Sequence, residues 1–277
     1  MQTLDSMSRL LQTPLKGLVF LYIQGHCQYK VLMILIRRTS AQRELIKIKY
    51  SSLTGKPLIE STVCEFFGHQ KYLALCLLHT GPDADAFILR RSTRCFSRDY
   101  TILVHLCVSR SSEQISLVKE SYFKMYKQQL SKRIRLSTFG KYKQMLTYLI
   151  EKPRSVAPGD PALAAKQAKL FYSQFGISVF TYLDRYSGKY EFTLLSICRY
   201  ALDPLKYYAG YLKRSILNGR FRDVICIIAT RCEIDLASIF AKYRLLFNSS
   251  PKKEINEMFQ HKFPTIVFAL NRLMGEN

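Results

Sequence analysis

Apolar positions recur three and four residues apart over most of the chain, which is the spacing of amphipathic helices rather than the alternation of strands. Leu45, Ile46 and Tyr50 form one such stripe, and Leu117, Val118 and Tyr122 form another. A denser apolar run precedes each stripe, Val31 to Ile36 in the first case and Ile102 to Val108 in the second, with a short polar turn between. A third instance places Val224 to Ala229 ahead of a stripe that ends at Tyr243. The order apolar helix, turn, amphipathic helix predicts an all-α fold.

These stretches line up on one another. Arg38 to Tyr50, Arg110 to Tyr122 and Arg231 to Tyr243 each run from Arg to Tyr in twelve steps. Eighteen residues after each Tyr stands Gly68, Gly140 or His261, and another apolar helix follows, as in Tyr72–Leu78 and Met145–Ile150. A fixed period of this kind marks a repeat architecture. The first two copies are 72 residues apart, but the step from Arg110 to Arg231 is 121, so a reduced copy is expected between them. Phe180–Tyr186 is read as its Tyr-ended helix, with Ser187 and Gly188 following at once, and Pro161–Phe171 as its first helix. On this reading two internal pieces are missing. Gly81-Pro82, the stretch Pro153 to Pro161 and Asp203-Pro204 punctuate the copies. The expected divisions are 1–80 for the first copy with its N-terminal segment, 81–152 for the second, 153–161 for a linker, 162–203 for the truncated third and 204–277 for the fourth.

Composition adds a partner class. Lys and Arg outnumber Asp and Glu by 42 to 20, an excess that attracts polyanions such as acidic lipid, nucleic acid or acidic polysaccharide without choosing among them. The eight cysteines are scattered, mostly within apolar runs, with no CxxC pair, so they read as reduced, buried small hydrophobes in a cytoplasmic protein. The five histidines supply no zinc-ligand spacing. The longest apolar runs, at 17–23 and 31–36, fall well short of the ~20 residues needed to span a bilayer. Asp5 and the lack of a small-residue cleavage site argue against a secretory signal.

A helical repeat of this length, used four times, with an Arg-[Thr/Ser]-x-x-[Gln/Glu] turn opening a helix, resembles the annexins. Arg38-Thr-Ser-Ala-Gln42 and Arg110-Ser-Ser-Glu-Gln114 carry the turn, and Ala229-Thr-Arg-Cys-Glu-Ile-Asp235 is similar to the final annexin repeat. The Pro-Asp-Ala-Asp-Ala start of the second copy is similar to plant-type members. The resemblance runs from about residue 20 to the C-terminus. It implies a superhelix of four repeats of about five short helices, here with the third repeat truncated by internal deletions. It also implies a non-enzymatic protein that associates peripherally with anionic phospholipid membranes through calcium.

Calcium is a hard cation that wants oxygen ligands, so the family signature pairs a Gly-rich loop, Lys-Gly-x-Gly-Thr, with an Asp or Glu after 38 intervening residues. Tyr22-Ile-Gln-Gly-His26 occupies that loop in the first copy, and Glu65 stands at the acidic position. Gly25 and Glu65 are therefore the single residual calcium site expected, although Ile23 replaces a loop glycine and restricts the backbone. The second copy offers Arg94-Cys-Phe-Ser-Arg98 with Ser137 at the acidic position, and the fourth offers Ser215-Ile-Leu-Asn-Gly219 with Met258. Both lack the carboxylate. Arg94, Arg98, Arg220 and Arg222 are expected instead to attract anionic headgroups directly, giving weak or no dependence on calcium.

No phosphate-binding loop, Gly-x-Ser-x-Gly or HExxH motif is present, so no organic cofactor and no catalytic residue is expected. His105 on its apolar helix reads as a core residue. Interleaved aromatics such as Tyr122 and Tyr126 among lysines leave a nucleic-acid-binding or other polyanion-binding helical repeat protein as the alternative.

Overall fold

A computed structural model describes residues 28–94, 99–154 and 160–275, and among these it contains seventeen helices and no strand. The described residues divide into two compact units, one within Met1–Ile88 and Tyr208–Asn277, the other within Leu89–Tyr207.

In the first unit, α1 (Gln28–Ile36), α2 (Ser40–Thr54), α3 (Leu58–Glu65) and α4 (Gly68–Leu78) follow one another through short turns. Of α4, everything from Tyr72 to Leu78 is buried. A helix that is apolar all round has to be central. It packs against Phe221–Arg231, which buries Asp223 to Ile228, and the rings of Phe221, Phe259 and Phe263 stack beside that contact, with centroids 4.4 and 4.9 Å apart.

The second unit begins within α5 (Pro82–Ser92), taking its residues from Leu89 on, then contains α6 (Tyr100–Ser109), α7 (Ser112–Tyr126), α8 (Leu130–Ser137), α9 (Gly140–Glu151), α10 (Pro161–Phe175), α11 (Val179–Leu183) and α12 (Gly188–Leu202). Its centre is α6, buried from Thr101 to Ser109 and packed on α12 and α9. His105 lies in that core with its ring stacked on Tyr207, 5.6 Å between centroids. The chain returns to the first unit with α13 (Pro204–Leu217), α14 (Phe221–Arg231), α15 (Leu236–Phe247), α16 (Pro251–Phe259) and α17 (Pro264–Leu273).

The repeated Arg-[Thr/Ser]-x-x-Gln turn has a local physical cause. Thr39 accepts from the backbone N–H of Gln42 while the Gln42 side chain accepts from that of Thr39, and Ser111 and Gln114 do the same. These are capping boxes, which satisfy two of the donors a helix start leaves open. The fourth copy replaces the box with an ion pair from Arg231 to Asp235. Five residues beyond Tyr50, Tyr122 and Tyr243 the helix ends on a left-handed residue, Gly55, Lys127 and Asn248 respectively. All three tyrosines are buried.

Two arginines close helix ends further on. Arg43 donates to the carbonyls of Leu35 and Arg38 at the end of α1. Arg154 donates to those of Cys107, Val108 and Arg110 at the end of α6, which ties down the chain just after α9. Cys76, Cys107 and Cys226 are buried as expected of small hydrophobes, Cys198 and Cys232 are half-buried, and Cys64 is exposed. Cys27 and Cys95 lie outside the described residues.

The segment 160–202 follows a different register from the one expected for a Tyr-ended helix at Phe180–Tyr186. Helix α10 is fifteen residues long, starts at the capping side chain of Asp160 and ends on left-handed Gly176; α7 is also fifteen residues long, starts at Ser111 and ends on left-handed Lys127. One offset of 49 relates Ser111 to Asp160, Lys127 to Gly176, and Gln129 to Ser178, the residues that precede α8 and α11. On this pattern α10 takes the place of α7, α11 that of a shortened α8, and α12, opened by Gly188, that of α9. Nine residues, too few for counterparts of α5 and α6, separate Glu151 from Pro161.

Candidate functional site

The calcium positions expected from sequence sit where helices end. Glu65 is the last residue of α3, and Gln28, the first residue of α1, donates from its side chain to the Glu65 backbone carbonyl. The start of α1 is therefore held beside the end of α3. Gly25 lies outside the described residues. Burial pushes the Glu65 carboxyl above its ordinary value, and a cation beside it would pull the other way.

Beside the corresponding place in the second copy stands a charge of the protein's own. The Arg133 guanidinium on α8 donates to the backbone carbonyl of Thr93 at 2.6 Å and to its hydroxyl at 3.4 Å, immediately before Arg94. Ser137, at the acidic position, turns its hydroxyl back to the carbonyls of Arg133 and Ile134 in its own helix. The Thr93 carbonyl thus has a charge-assisted partner. In the fourth copy Met258 is partly exposed, and the adjacent Glu257 lies 3.9 Å from Lys253 on the helix surface. Among the described residues no cluster of three or more His, Cys, Asp or Glu could hold a metal. Of the three acidic positions, only Glu65 is a carboxylate, with Ser137 and Met258 at the other two.

Of the four arginines, Arg94 is exposed directly after α5, Arg220 is the half-buried residue before α14, and Arg222 is exposed in the first turn of α14. Arg220 and Arg222 share one helix start. Arg98 lies outside the described residues. Sequence reasoning missed Arg133 as the partner of the loop, and no local motif could have revealed it, because the contact spans 40 residues.

A further polar chain distinguishes the copies. Lys213 reaches both oxygens of Glu254, at 2.7 and 2.8 Å, and the Tyr243 hydroxyl donates to the same carboxylate at 2.6 Å. These partners hold the Glu254 carboxyl below its ordinary value against the upward push of burial. In the second copy Arg90 faces the Tyr122 hydroxyl and Gln128 instead.

The described residues are purely helical, and capped helices recur among them, which defines an all-helical protein. The annexin family model matches residues 83–149. Annexin A10 of Mus musculus is 26% identical, over 86% of this chain and 85% of the relative. Among solved structures, annexin A8 superposes with a TM-score of 0.82 at 19% identity, covering 92% of each chain. Calcium-bound annexin (Sm)1 superposes with a TM-score of 0.74 at 18% identity, covering 95% of this chain and 90% of that one. The family model, the curated relatives and the solved structures all point to the annexin family.

Proposed function

We propose that this chain is a binding protein for anionic phospholipid surfaces, held there by the basic residues of its loops, with calcium contributing little. The observation that supports this reading is Arg133 donating into the Thr93 carbonyl immediately before Arg94, with Ser137 rather than a carboxylate at the acidic position. Arg94, the next residue, is exposed. Arg98, Arg220 and Arg222 extend the same attraction. Each basic residue near an acidic membrane contributes on the order of 1 kcal/mol, screened within about 10 Å at ordinary salt. Gly25 and Glu65 remain the one place where calcium would add to this.

Co-sedimentation with phosphatidylserine-containing and purely phosphatidylcholine vesicles tests the reading, in calcium or chelator and across a salt series. Binding to the acidic vesicles should persist in chelator, fall steeply with salt and weaken roughly fivefold when Arg94 is changed to Ala. Equal binding to neutral vesicles, or binding that needs calcium and vanishes in Glu65→Gln, would overturn it. Preferential capture by single-stranded RNA at the same salt would move the protein to the polyanion-binding alternative.

A further inference from the structure

Phe139 is the large hydrophobic residue left out of the fold where its geometry least tolerates it. It is 78% exposed and precedes Gly140, whose φ of 57° belongs to the left-handed region. Thr138 and Phe139 are both extended, at φ −133° and −136°, so their side chains point to opposite sides. Thr138 turns inward and donates to the Ile134 carbonyl at 2.7 Å; Phe139 has to turn outward. Phe139 also occupies the N-cap of α9, where it makes no side-chain cap and where Ser, Asn or Asp would. Folding alone therefore favours a polar residue here.

The arrangement occurs twice. In the first unit Phe66 is buried, Phe67 is extended and 68% exposed at the uncapped start of α4, and Gly68 follows with a φ of 55°. Three residues before Phe139, Leu136 is also exposed. From Lys132 to Lys143 the chain carries five basic residues and no acidic one. Lys132, Arg135 and Lys141 in this stretch are exposed.

We infer that Phe139, with Leu136, is a hydrophobic anchor that enters the outer part of an anionic bilayer, and that the exposed Lys132 and Lys141 beside it bind its headgroups. The inference rests on the membrane reading above and adds the residue that penetrates. A rigid aromatic outside a basic rim matches a surface whose charge is negative and whose interior is apolar. Docking of a second copy of this chain is disfavoured by the same charges, since each copy carries an excess of 22 positive charges.

The chain has no tryptophan, so Phe139→Trp supplies the only indole. With phosphatidylserine-containing vesicles its emission should shift to the blue and be quenched by lipids brominated high on the acyl chain. Phe139→Ser should weaken vesicle binding about tenfold, the loss expected for one Phe side chain returned to water. Tyr148→Ser, at another exposed aromatic on α9, should leave it unchanged, with circular dichroism confirming that all variants fold. An indole that stays in water while the protein binds acidic vesicles overturns the anchor and leaves the membrane reading standing. A protein that ignores acidic vesicles overturns both. A blue shift that grows with protein concentration in the absence of lipid assigns the residue to self-association and overturns the anchor.

Discussion

Helices α7 and α10 are both fifteen residues long, both begin at a side-chain cap and both end on a left-handed residue, yet α7 buries Ile115, Val118 and Tyr122 while α10 buries no side chain. The offset of 49 that relates their caps puts Ala164, Gln167 and Phe171 at those three positions. Phe171 packs only partway, against Phe175 and Tyr182, at 4.7 and 5.3 Å between ring centroids. The caps are local, and a capped segment of good helix formers stays helical whatever surrounds it. Burial is not local. Helix α7 follows two helices, α5 and α6, whereas α10 follows nine residues of connecting chain, and its sequence has a small and a polar residue where α7 has Ile and Val. Helix formation and core membership are thus separable within one unit.

The strongest way to break this comparison is to truncate the two aromatic residues at matching positions. Tyr122→Ala removes a fully buried ring and should cost about 3–5 kcal/mol of unfolding free energy, as large-to-small core changes do. Phe171→Ala should cost less than about 1 kcal/mol, because its ring is only half-buried, against Phe175 and Tyr182. Urea unfolding at unchanged slope reads both. Equal losses would mean that α10 is packed as α7 is, and the distinction would fall.

Much of the fold was legible because its signals are short-range. The apolar runs at Val31–Ile36 and Ile102–Val108 become helices, the Arg-led turns become capping boxes, and Tyr50, Tyr122 and Tyr243 all enter the core. The register of the third segment was not legible, because its landmark is Phe171 rather than a tyrosine and Tyr186 stands in a misleading place beside Gly188. The helix-ending position could not help: it carries Gly55, Lys127, Asn248 and Gly176 in turn, which share a backbone conformation and no side-chain chemistry. For the site, Glu65 was found by counting along the chain. Arg133 closing on Thr93, and Gln28 on Glu65, are contacts between residues about forty apart, which only the folded chain brings together.

Removing the caps sharpens the comparison at a smaller scale. Ser111→Ala breaks a capping box on a helix whose packing is part of the cooperative core, so about 1 kcal/mol should be lost from global unfolding. Asp160→Ala removes hydrogen bonds to the N–H groups of Ala162 and Leu163, a similar local loss. It should leave the global midpoint almost unmoved and speed amide exchange across α10, since that helix opens without the rest. Equal shifts of the midpoint in the two variants would show that α10 unfolds with the core.

The finest test restores to α10 the residue that α7 has. Gln167 takes the place of buried Val118, and on an exposed surface the exchange Gln167→Val trades a good helix former for a β-branched one, worth a few tenths of a kcal/mol against the helix. If no neighbour waits at that face, stability should change by less than about 0.5 kcal/mol, in the unfavourable direction. A gain would require the new methyl groups to be leaving water for a contact, and only a partner surface against α10 could provide one. The sign of this small change therefore decides whether the face of α10 is solvent-facing by construction or is a core surface with its cover displaced.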